Sequence, residues 1–278
     1  MDSLAFSVSM CVYGGDNAEH FDTAVDSVVN QTVRPQEIVL TVDGPVPESI
    51  DRVIEKYSCA LDGSRIAFKV IRLEKNVGHG EARRICFDNC AYDLIALMDA
   101  DDISVADRFQ KEIEVFKQDS SLSVVGSHVA EFTDNPEEIK SRRTVSLTDD
   151  EIKRDMRGRC PVNQPTVMFK KKDVAEVGGY IDWFCNEDYY LWIRLAQANK
   201  RFANVDECLV KMRVDQKSYQ RRGGLKYFRS ERNIQRLMLR SGMITPAVYL
   251  VNVAKRFIVQ LLLPNSLRGW VFNKFARE

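Results

Sequence analysis

The chain has 278 residues, of which 45% are hydrophobic and 29% charged, a composition that excludes an intrinsically disordered protein. The 40 basic and 40 acidic residues balance, but residues 211–278 hold 15 Lys and Arg against three acids, which predicts an anionic partner for this part. No apolar run is long enough to cross a bilayer, no signal peptide is recognisable, and the seven cysteines include no Cys-x-x-Cys pair. We therefore expect a protein of the reducing cytoplasm.

Strands and helices alternate through the first hundred residues. The hydrophobic pattern predicts strands at 6–13, 37–42, 66–73 and 94–98, and helices at 19–31, 48–59 and 81–90. This alternation predicts right-handed βαβ units, and hence a mostly parallel sheet with helices on both faces. The turns after these strands are rich in glycine or acids, so one edge of the sheet is marked as the ligand edge.

The fourth strand runs directly into Asp99, Asp101 and Asp102. Such a concentration of carboxylates favours a divalent cation carried by a phosphorylated ligand. We assign Asp99 and Asp101 to this cation, and expect Asp102 to cap the following helix. Neither Gly-x-Gly-x-x-Gly nor Gly-Lys-Ser/Thr is present, which argues against a dinucleotide dehydrogenase and a P-loop NTPase.

The second half of the chain has a looser pattern. We predict a helix at 104–118, a strand at 122–133, a polar loop at 134–143, a short helix at 149–157, and a loop entering a strand at 162–169. Asn186 is predicted to cap a helix whose first turn holds Glu187 and Asp188. Helix capping by itself would account for Glu187.

The basic C-terminal part contains two further predicted helices. One follows Arg221 and Arg222, which could contact a diphosphate, and the next begins at Thr245-Pro246. Asn252, Arg256 and Gln260 form a narrow polar stripe on this second helix. Beyond Pro264, apolar and aromatic residues alternate with cations. This favours an interfacial membrane element, and the alternative is packing on the remainder of the chain or a dimer contact.

Seven segments, taken together in their order, resemble one known family: Val8–Tyr13, Ser27–Thr32, Glu37–Gly44, Asn76–Gly78, Met98–Asp102, Asn163–Phe169 and Glu187–Trp192. The chain is similar to the inverting, GT-A-fold glycosyltransferases of family 2, in particular to bacterial enzymes of exopolysaccharide or O-antigen biosynthesis. The resemblance extends to about Leu239. It implies an α/β fold of GT-A type over residues 1–215, with a nucleotide-sugar half (1–103) and an acceptor half (104–215). Residues 216–278 would form a C-terminal helical extension.

The resemblance also implies roles for individual residues. Asp43 matches an acid that contacts the uracil or ribose, Asp99 and Asp101 match the Asp-x-Asp motif that holds Mn²⁺ or Mg²⁺, and Asp188 matches the general base. The implied donor-binding residues are Val12, Tyr13, Asp43, Asn76, Gly78, Arg83, Asp99 and Ala100. For the acceptor or its diphosphate they are Gln164, Glu187, Arg221 and Arg222.

The chain departs from the family pattern in its histidines. Relatives often have a His where Gln164 stands, and some use a late His as a further metal ligand. The only histidines here are His20, His79 and His128, so that role is vacant. Metal coordination would then rest on carboxylates, diphosphate and water.

The resulting expectation is a metal-dependent inverting transfer of a hexose (Gal, Glc or GlcNAc type) from a UDP-sugar to a lipid-diphosphate-linked saccharide. The enzyme would lie at the cytoplasmic face of the inner membrane. The sequence is compatible with a homodimer but does not determine the oligomeric state. The alternative is a non-catalytic nucleotide-sugar-binding or scaffold protein. A nucleotidyltransferase would need a basic glycine-rich loop, and residues 11–17 contain no Lys or Arg. A nucleic-acid binder would rest on the basic tail alone, so we expect no nucleic-acid partner.

Overall fold

The computed structural model describes residues 4–214 and 223–263. In this part of the chain, nine strands form one sheet in the order β3-β2-β1-β4-β8-β6-β9-β5, and β7 pairs with β6. The strands are β1 Phe6–Tyr13, β2 Glu37–Asp43, β3 Ala67–Arg72, β4 Leu94–Met98, β5 Ile103–Ser104, β6 Leu122–Phe132, β7 Ser141–Arg143, β8 Met168–Lys170 and β9 Arg201–Arg213.

Helices precede or follow most of these strands. They are α1 Ala18–Val29, α2 Glu48–Leu61, α3 His79–Asn89, α4 Arg108–Gln118, α5 Asp149–Asp155, α6 Lys171–Glu176, α7 Glu187–Gln197, α8 Gly224–Arg240 and α9 Pro246–Phe257. A 3₁₀ turn spans Gln164–Thr166, and a π-helical turn, Ile258–Leu262, continues α9.

The first four strands confirm the predicted parallel arrangement. β3, β2, β1 and β4 are parallel neighbours, so their carboxyl ends reach the same edge of the sheet. Beyond β4 the sheet is mixed, because β8 runs antiparallel to both β4 and β6. Arg221, Arg222 and residues 264–278 lie outside the described part of the chain, so the predictions made for them stay predictions.

Two hydrophobic cores, one on each face, confirm that helices flank the sheet on both sides. Successive residues of a strand point to opposite faces. In β4, Ala96 and Met98 join a core with α1, α2 and α4, whereas Ile95 and Leu97 join a second core with α3, α7 and α8. The C-terminal helix α8 is therefore part of the packed molecule.

Three local predictions were wrong. Residues 103–104 form β5, which pairs with β9, so α4 begins only at Arg108. The predicted loop 134–143 ends in β7, which pairs with β6. Asp102 does not cap α4: it is buried and accepts a hydrogen bond from the Arg213 backbone N–H of β9 at 2.9 Å.

The long strand β9 was missed by the sequence patterns. Its pairing with β6 shifts register near Ser127 and His128, which is typical of a β-bulge. Because a bulge interrupts the alternation of inward and outward residues, the apolar residues of β9 do not follow a period of two. The start of α9 was predicted correctly, and the Thr245 hydroxyl accepts from the Val248 N–H.

A buried ion pair fixes the end of β4, directly before the acidic cluster. Arg108 Nε donates to Glu112 Oε1 at 2.8 Å, and neither side chain is exposed. Arg108 Nη2 also donates to the Leu97 carbonyl at 3.0 Å and to that of Val167. Burial, opposed by Arg108, raises the pKa of Glu112 to about 7.

We predict that Arg108→Met lowers the free energy of unfolding by about 3–5 kcal/mol, because it leaves the Glu112 carboxylate buried without its partner. The pKa of Glu112 is about 7 in the parent and should be higher without Arg108, so the difference in stability between parent and variant should grow as the pH rises above about 7. Arg108→Met combined with Glu112→Leu should recover most of the loss. Urea unfolding of the three proteins measures this. A double variant no more stable than Arg108→Met would contradict the account and assign the effect to the carbonyl contacts.

Candidate active site

A cleft of about 630 Å³ opens where the carboxyl end of β4 meets the start of α7. Both halves of the chain and the C-terminal helices contribute to its wall. The cleft is lined by the predicted Arg83, Asp99, Asp101, Gln164, Glu187 and Asp188, and also by His79, Asn163, Cys160, Arg159, Tyr227, Glu231, Lys255, Arg256 and Gln260, among others. The structure thus brings the predicted metal ligands and the predicted base to one cavity.

The remaining predicted donor residues lie at the carboxyl ends of the parallel strands or in the loops that follow them. Tyr13 at the end of β1 is in register with Asp43 at the end of β2, and Asp43 contacts the loop that leads into α3. None of these residues is part of the cleft lining: Val12, Tyr13, Asp43, Asn76, Gly78 and Ala100. Their contact with a nucleotide stays a prediction.

The guanidinium of Arg83 is the centre of the cleft's polar network. Arg83 Nη2 donates to Asp99 Oδ1 at 2.6 Å, and Arg83 Nε donates to His79 Nε2 at 2.8 Å. Burial disfavours its charge, but Asp99 and the other acidic groups around it, including Glu187, together outweigh burial, so the pKa of Arg83 lies above its ordinary value. Arg83 therefore supplies a permanent positive charge beside Asp99.

His79 extends this network to the start of α7. Because its Nε2 accepts from Arg83, the proton lies on Nδ1, which is 3.0 Å from Glu187 Oε1. Burial would raise the pKa of Glu187, but His79 and Arg83 together lower it. Glu187 is therefore a carboxylate that orients His79, which is more than a helix-capping role.

Gln164 connects Arg83 with the predicted base. With its amide oriented to suit both neighbours, its Nε2 donates to Asp188 Oδ2 at 3.1 Å and its Oε1 accepts from Arg83 Nε at 3.3 Å and from Nη1. The other Asp188 oxygen accepts from the Tyr189 N–H at 2.6 Å. The orientation of the Asp188 carboxylate is thus set from both sides.

The acidic cluster is electrostatically strained. Desolvation, followed by the charges of Asp99 and Asp16, raises the pKa of Asp101 to about 6. Burial, followed by the charges of Asp101 and Asp99, raises the pKa of Asp102 well above its ordinary value. A divalent cation would relieve this repulsion, so the donor set fits one. Residues 4–214 and 223–263 contain no three His, Cys, Asp or Glu side chains arranged to hold a metal alone, so further ligands would come from diphosphate or water.

Asp43 has a structural role that the sequence did not reveal. Its two carboxylate oxygens accept from the backbone N–H groups of Val77, at 2.7 Å, and Gly78, at 3.2 Å. The adjacent Gly44 has φ +84°, and a Cβ there would lie 2.5 Å from the Asn76 nitrogen. Asp43 therefore holds the loop before α3 against the end of β2.

Sequence reasoning missed His79, although its spacing of four residues from Arg83 on one helix face was a usable signal. It also missed Cys160, whose Sγ lies 4.0 Å from Asp188 Oδ2. Asn186 is the N-cap residue of α7, as predicted, but its side chain makes no capping hydrogen bond: its amide is buried and donates to the hydroxyl of Ser230 on α8. These contacts form only in the tertiary structure.

The parallel sheet, the ligand edge at its carboxyl ends and the acidic cleft are typical of an α/β enzyme. A family model described as "Glycosyl transferase family 2" matches residues 7–178. The chain belongs to this family and is a glycosyltransferase, which confirms the expected enzyme class.

Two curated relatives match over almost their whole length. One is a "UDP-Gal:alpha-D-GlcNAc-diphosphoundecaprenol beta-1,3-galactosyltransferase" of Escherichia coli, 32% identical over 100% of this chain and 98% of that protein. Another is the amylovoran biosynthesis glycosyltransferase AmsE of Erwinia amylovora, 30% identical over 97% of this chain and 98% of that protein.

Solved structures share the fold at low identity, which confirms the GT-A prediction. S. aureus TarS 1–349 in complex with UDP-GlcNAc has a TM-score of 0.66 at 15% identity, over 92% of this chain and 73% of that one. The mannosyltransferase PcManGT of Pyrobaculum calidifontis, in complex with GDP-Man and Mn²⁺, has a TM-score of 0.65 at 12% identity, over 95% and 71%.

We predict that Asp43→Asn lowers the free energy of unfolding by about 1–3 kcal/mol. The substitution replaces one carboxylate oxygen by an NH₂ group, which cannot accept the hydrogen bond that a backbone N–H now donates to that oxygen. Thermal or urea unfolding measures the loss, with the exposed Asp62→Asn as the matched control. An Asp43→Asn variant as stable as the parent, with only its affinity for a nucleotide reduced, would contradict the loop-holding role.

Proposed function

We propose that this enzyme transfers a hexose of Gal, Glc or GlcNAc type from a UDP-sugar to a lipid-diphosphate-linked saccharide, with inversion at the anomeric carbon. The observation that carries the proposal is one connected network in one cleft. Asp99 at the end of β4 is bound by Arg83, and Arg83 is joined through Gln164 to Asp188 at the start of α7. A group held at the acidic cluster would face a carboxylate on the acceptor side.

The donor class is supported by the relatives' names. The Escherichia coli relative is named for UDP-Gal, and TarS was solved with UDP and with UDP-GlcNAc. The nucleotide would lie at the carboxyl ends of β1 and β2, near Tyr13 and Asp43, where parallel sheets bind ligands. Arg83 would hold Asp99 beside the sugar diphosphate.

Asp99 and Asp101 would hold Mn²⁺ or Mg²⁺. Hard divalent cations prefer carboxylate oxygens, and the strained acidic cluster offers them in the cleft. Such a cation, when bound, would neutralise the negative charge that develops on the leaving diphosphate.

Asp188 would act as the general base. The acceptor hydroxyl oxygen forms a bond to the anomeric carbon, the bond from that carbon to the diphosphate oxygen breaks, and the hydroxyl proton passes to the Asp188 carboxylate. Attack from the side opposite the leaving diphosphate turns an α-linked donor into a β-glycoside. Gln164 and the Tyr189 N–H keep the carboxylate oriented, and both are in place without substrate.

The acceptor is proposed from chemistry and from the relatives. The Escherichia coli relative is named for a diphosphoundecaprenol acceptor, and the Erwinia amylovora relative for amylovoran biosynthesis. We accordingly place the enzyme in surface-polysaccharide biosynthesis, peripheral at the cytoplasmic face of the inner membrane. Gln164 and Glu187 lie in the cleft, and Arg221 and Arg222 remain candidates for the diphosphate. None of the described helices combines the length and hydropathy needed to cross a bilayer.

We predict that Asp188→Asn lowers kcat by about a hundredfold or more and changes the KM for the donor little, because the amide cannot take the acceptor proton. Steady-state kinetics with a UDP-sugar and a short-chain diphosphate-linked acceptor measures both constants. The exposed Asp134→Asn is the matched control. An Asp188→Asn variant with normal kcat would contradict the base assignment, and a parent with no transfer under any donor would favour the non-catalytic alternative.

We predict that Asp101→Ala loses the metal-dependent part of donor binding. The parent should bind the UDP-sugar more tightly in Mn²⁺ than in EDTA, whereas the variant should bind with the parent's EDTA affinity in both, because a carboxylate ligand is missing. Titration calorimetry measures the four affinities. An Mn²⁺ effect of the same size in Asp101→Ala would refute the role of this residue.

A further inference from the structure

Helix α9 is turned with its polar side toward the protein. Its stripe of Asn252, Arg256 and Gln260 faces inward: Asn252 donates to Gln235 Oε1 at 2.8 Å, and Arg256 Nε donates to Glu231 Oε2 on α8. Gln260 is buried. The sequence showed this stripe, but the side that the fold buries is known only from the structure.

The opposite side of α9 is apolar and exposed. The outer face of α9 consists of Val248, Leu250, Val251, Phe257, Ile258 and Leu262. Leu250 is 66% exposed, Val251 52%, Ile258 50% and Leu262 61%. Leu250 and Val251 recur as Phe257 and Ile258 seven residues later, so these side chains share one side of the helix. A helix on the surface of a water-soluble protein buries its apolar side and exposes its polar side. Because α9 does the opposite, its exposed apolar face requires a partner.

The neighbouring helix α8 carries exposed positive charge. Its exposed side chains include Lys226, Arg229, Arg232, Arg236 and Arg240, whereas its one acid, Glu231, is buried in the ion pair with Arg256. The two helices pack directly together, with the rings of Phe228 and Phe257 5.8 Å apart. The exposed apolar face of α9 and the exposed cations of α8 therefore lie on two helices that are in direct contact.

The outer face of α9 could be covered by a second copy of the chain, by residues 264–278 or by a lipid bilayer. These three partners differ in their charge. A second copy would bring the same face and the same cations together across a two-fold axis, which is repulsive. Residues 264–278 carry Arg268, Lys274 and Arg277 against one acid, so they are also like-charged. An anionic lipid bilayer complements both features, because it takes up apolar side chains and attracts the flanking cations.

We propose that the outer face of α9 docks on an anionic lipid bilayer, with the cations of α8 in contact with the lipid headgroups. The proposal rests on the proposed function for its purpose, since a lipid-linked acceptor lies in such a bilayer. It adds the particular surface that meets the lipid and places that surface on the helix whose other side lines the cleft.

The inner side of the same helix forms part of the cleft wall. Lys255, Arg256, Val259 and Gln260 line the cleft that contains Asp188. Lys255 is exposed and lies between the outer face and the polar stripe, at the edge of both. A bilayer on the outer face would thus lie next to the cleft, with Lys255 at the level of the lipid phosphates.

Helix α9 also holds a loop that reaches the base. Asn252 Nδ2 donates to the Arg157 carbonyl and Arg256 Nη2 to the Gly158 carbonyl, both at 2.9 Å. This loop continues into Cys160, which contacts Asp188. Gly158, whose carbonyl α9 binds, and Cys160, whose thiol contacts Asp188, are two residues apart in this loop. Helix α9 is therefore connected to the side of the cleft that holds Asp188.

The test uses the full chain and vesicles of phosphatidylcholine with or without phosphatidylglycerol. Leu250→Gln combined with Ile258→Gln should weaken sedimentation with anionic vesicles about tenfold or more, because two exposed apolar side chains no longer enter the lipid. Arg236→Glu combined with Arg240→Glu should weaken binding to anionic vesicles only, and the loss should shrink at high salt. Ile139→Gln, at an exposed apolar position in the loop before β7, is the matched control and should bind as the parent does.

Three outcomes would overturn the proposal. One is unchanged vesicle binding by the Leu250/Ile258 variant. Another is a dimer, seen by sedimentation velocity, that this variant dissociates while vesicle binding persists. The third is loss of vesicle binding on deletion of residues 264–278 with the outer face intact. Retained binding by that deletion supports the proposal.

A transfer assay separates this inference from the proposed function. The Leu250/Ile258 variant should match the parent with a short-chain acceptor in solution, but should be slower with an acceptor embedded in anionic vesicles. Equal rates of variant and parent on vesicles would overturn the inference alone. Absence of transfer by the parent with both acceptors would overturn the proposed function, and vesicle binding would still decide the inference.

Discussion

The buried guanidinium of Arg83 is the contact on which the cleft depends. Its five N–H groups have fixed directions, and in this chain they meet Asp99, His79 and Gln164. Burying a charge is unfavourable unless hydrogen-bonding partners replace water. Arg83 therefore holds these three groups close together around its guanidinium. Through them, the end of β4 in the first half is joined to Glu187 and Asp188 in the second. Binding of a diphosphate and activation of a hydroxyl can therefore take place in one preorganised site.

The C-terminal helices belong to this site as much as the sheet does. Helix α8 enters the second hydrophobic core through Ile234 and Met238, and its Ser230 accepts from Asn186, the residue directly before Glu187. Helix α9 then closes the cleft with its polar side and leaves its apolar side outward. One pair of helices thus contacts the start of α7, where the proposed base lies, on one side and presents an exposed apolar surface on the other.

Much of the fold follows from local patterns. Strands β1, β2 and β4 are short apolar runs that end at glycines or acids, so their bounds and the position of Asp99 and Asp101 were predictable. What failed depends on distant contacts: the bulged pairing of β9 with β6, the partner of Asn186 on α8, and the hydrogen bonds that occupy Asp43. For α9, a 3.6-residue period revealed two faces but not which one is buried. The role of His79 likewise depends on distant contacts, because it bridges Arg83 on its own helix and Glu187 on α7.

The central claim is that a donor at Asp99 and Asp101 and an acceptor at Asp188 react in a single displacement. The most direct test is the anomeric configuration of the product, read by proton NMR after incubation of the purified protein with UDP-Gal, Mn²⁺ and a short-chain diphosphate-linked α-GlcNAc acceptor. Other UDP-hexoses are tested in parallel. The account predicts a β-linked disaccharide that does not form in EDTA. A product that keeps the α-configuration of the donor would contradict it.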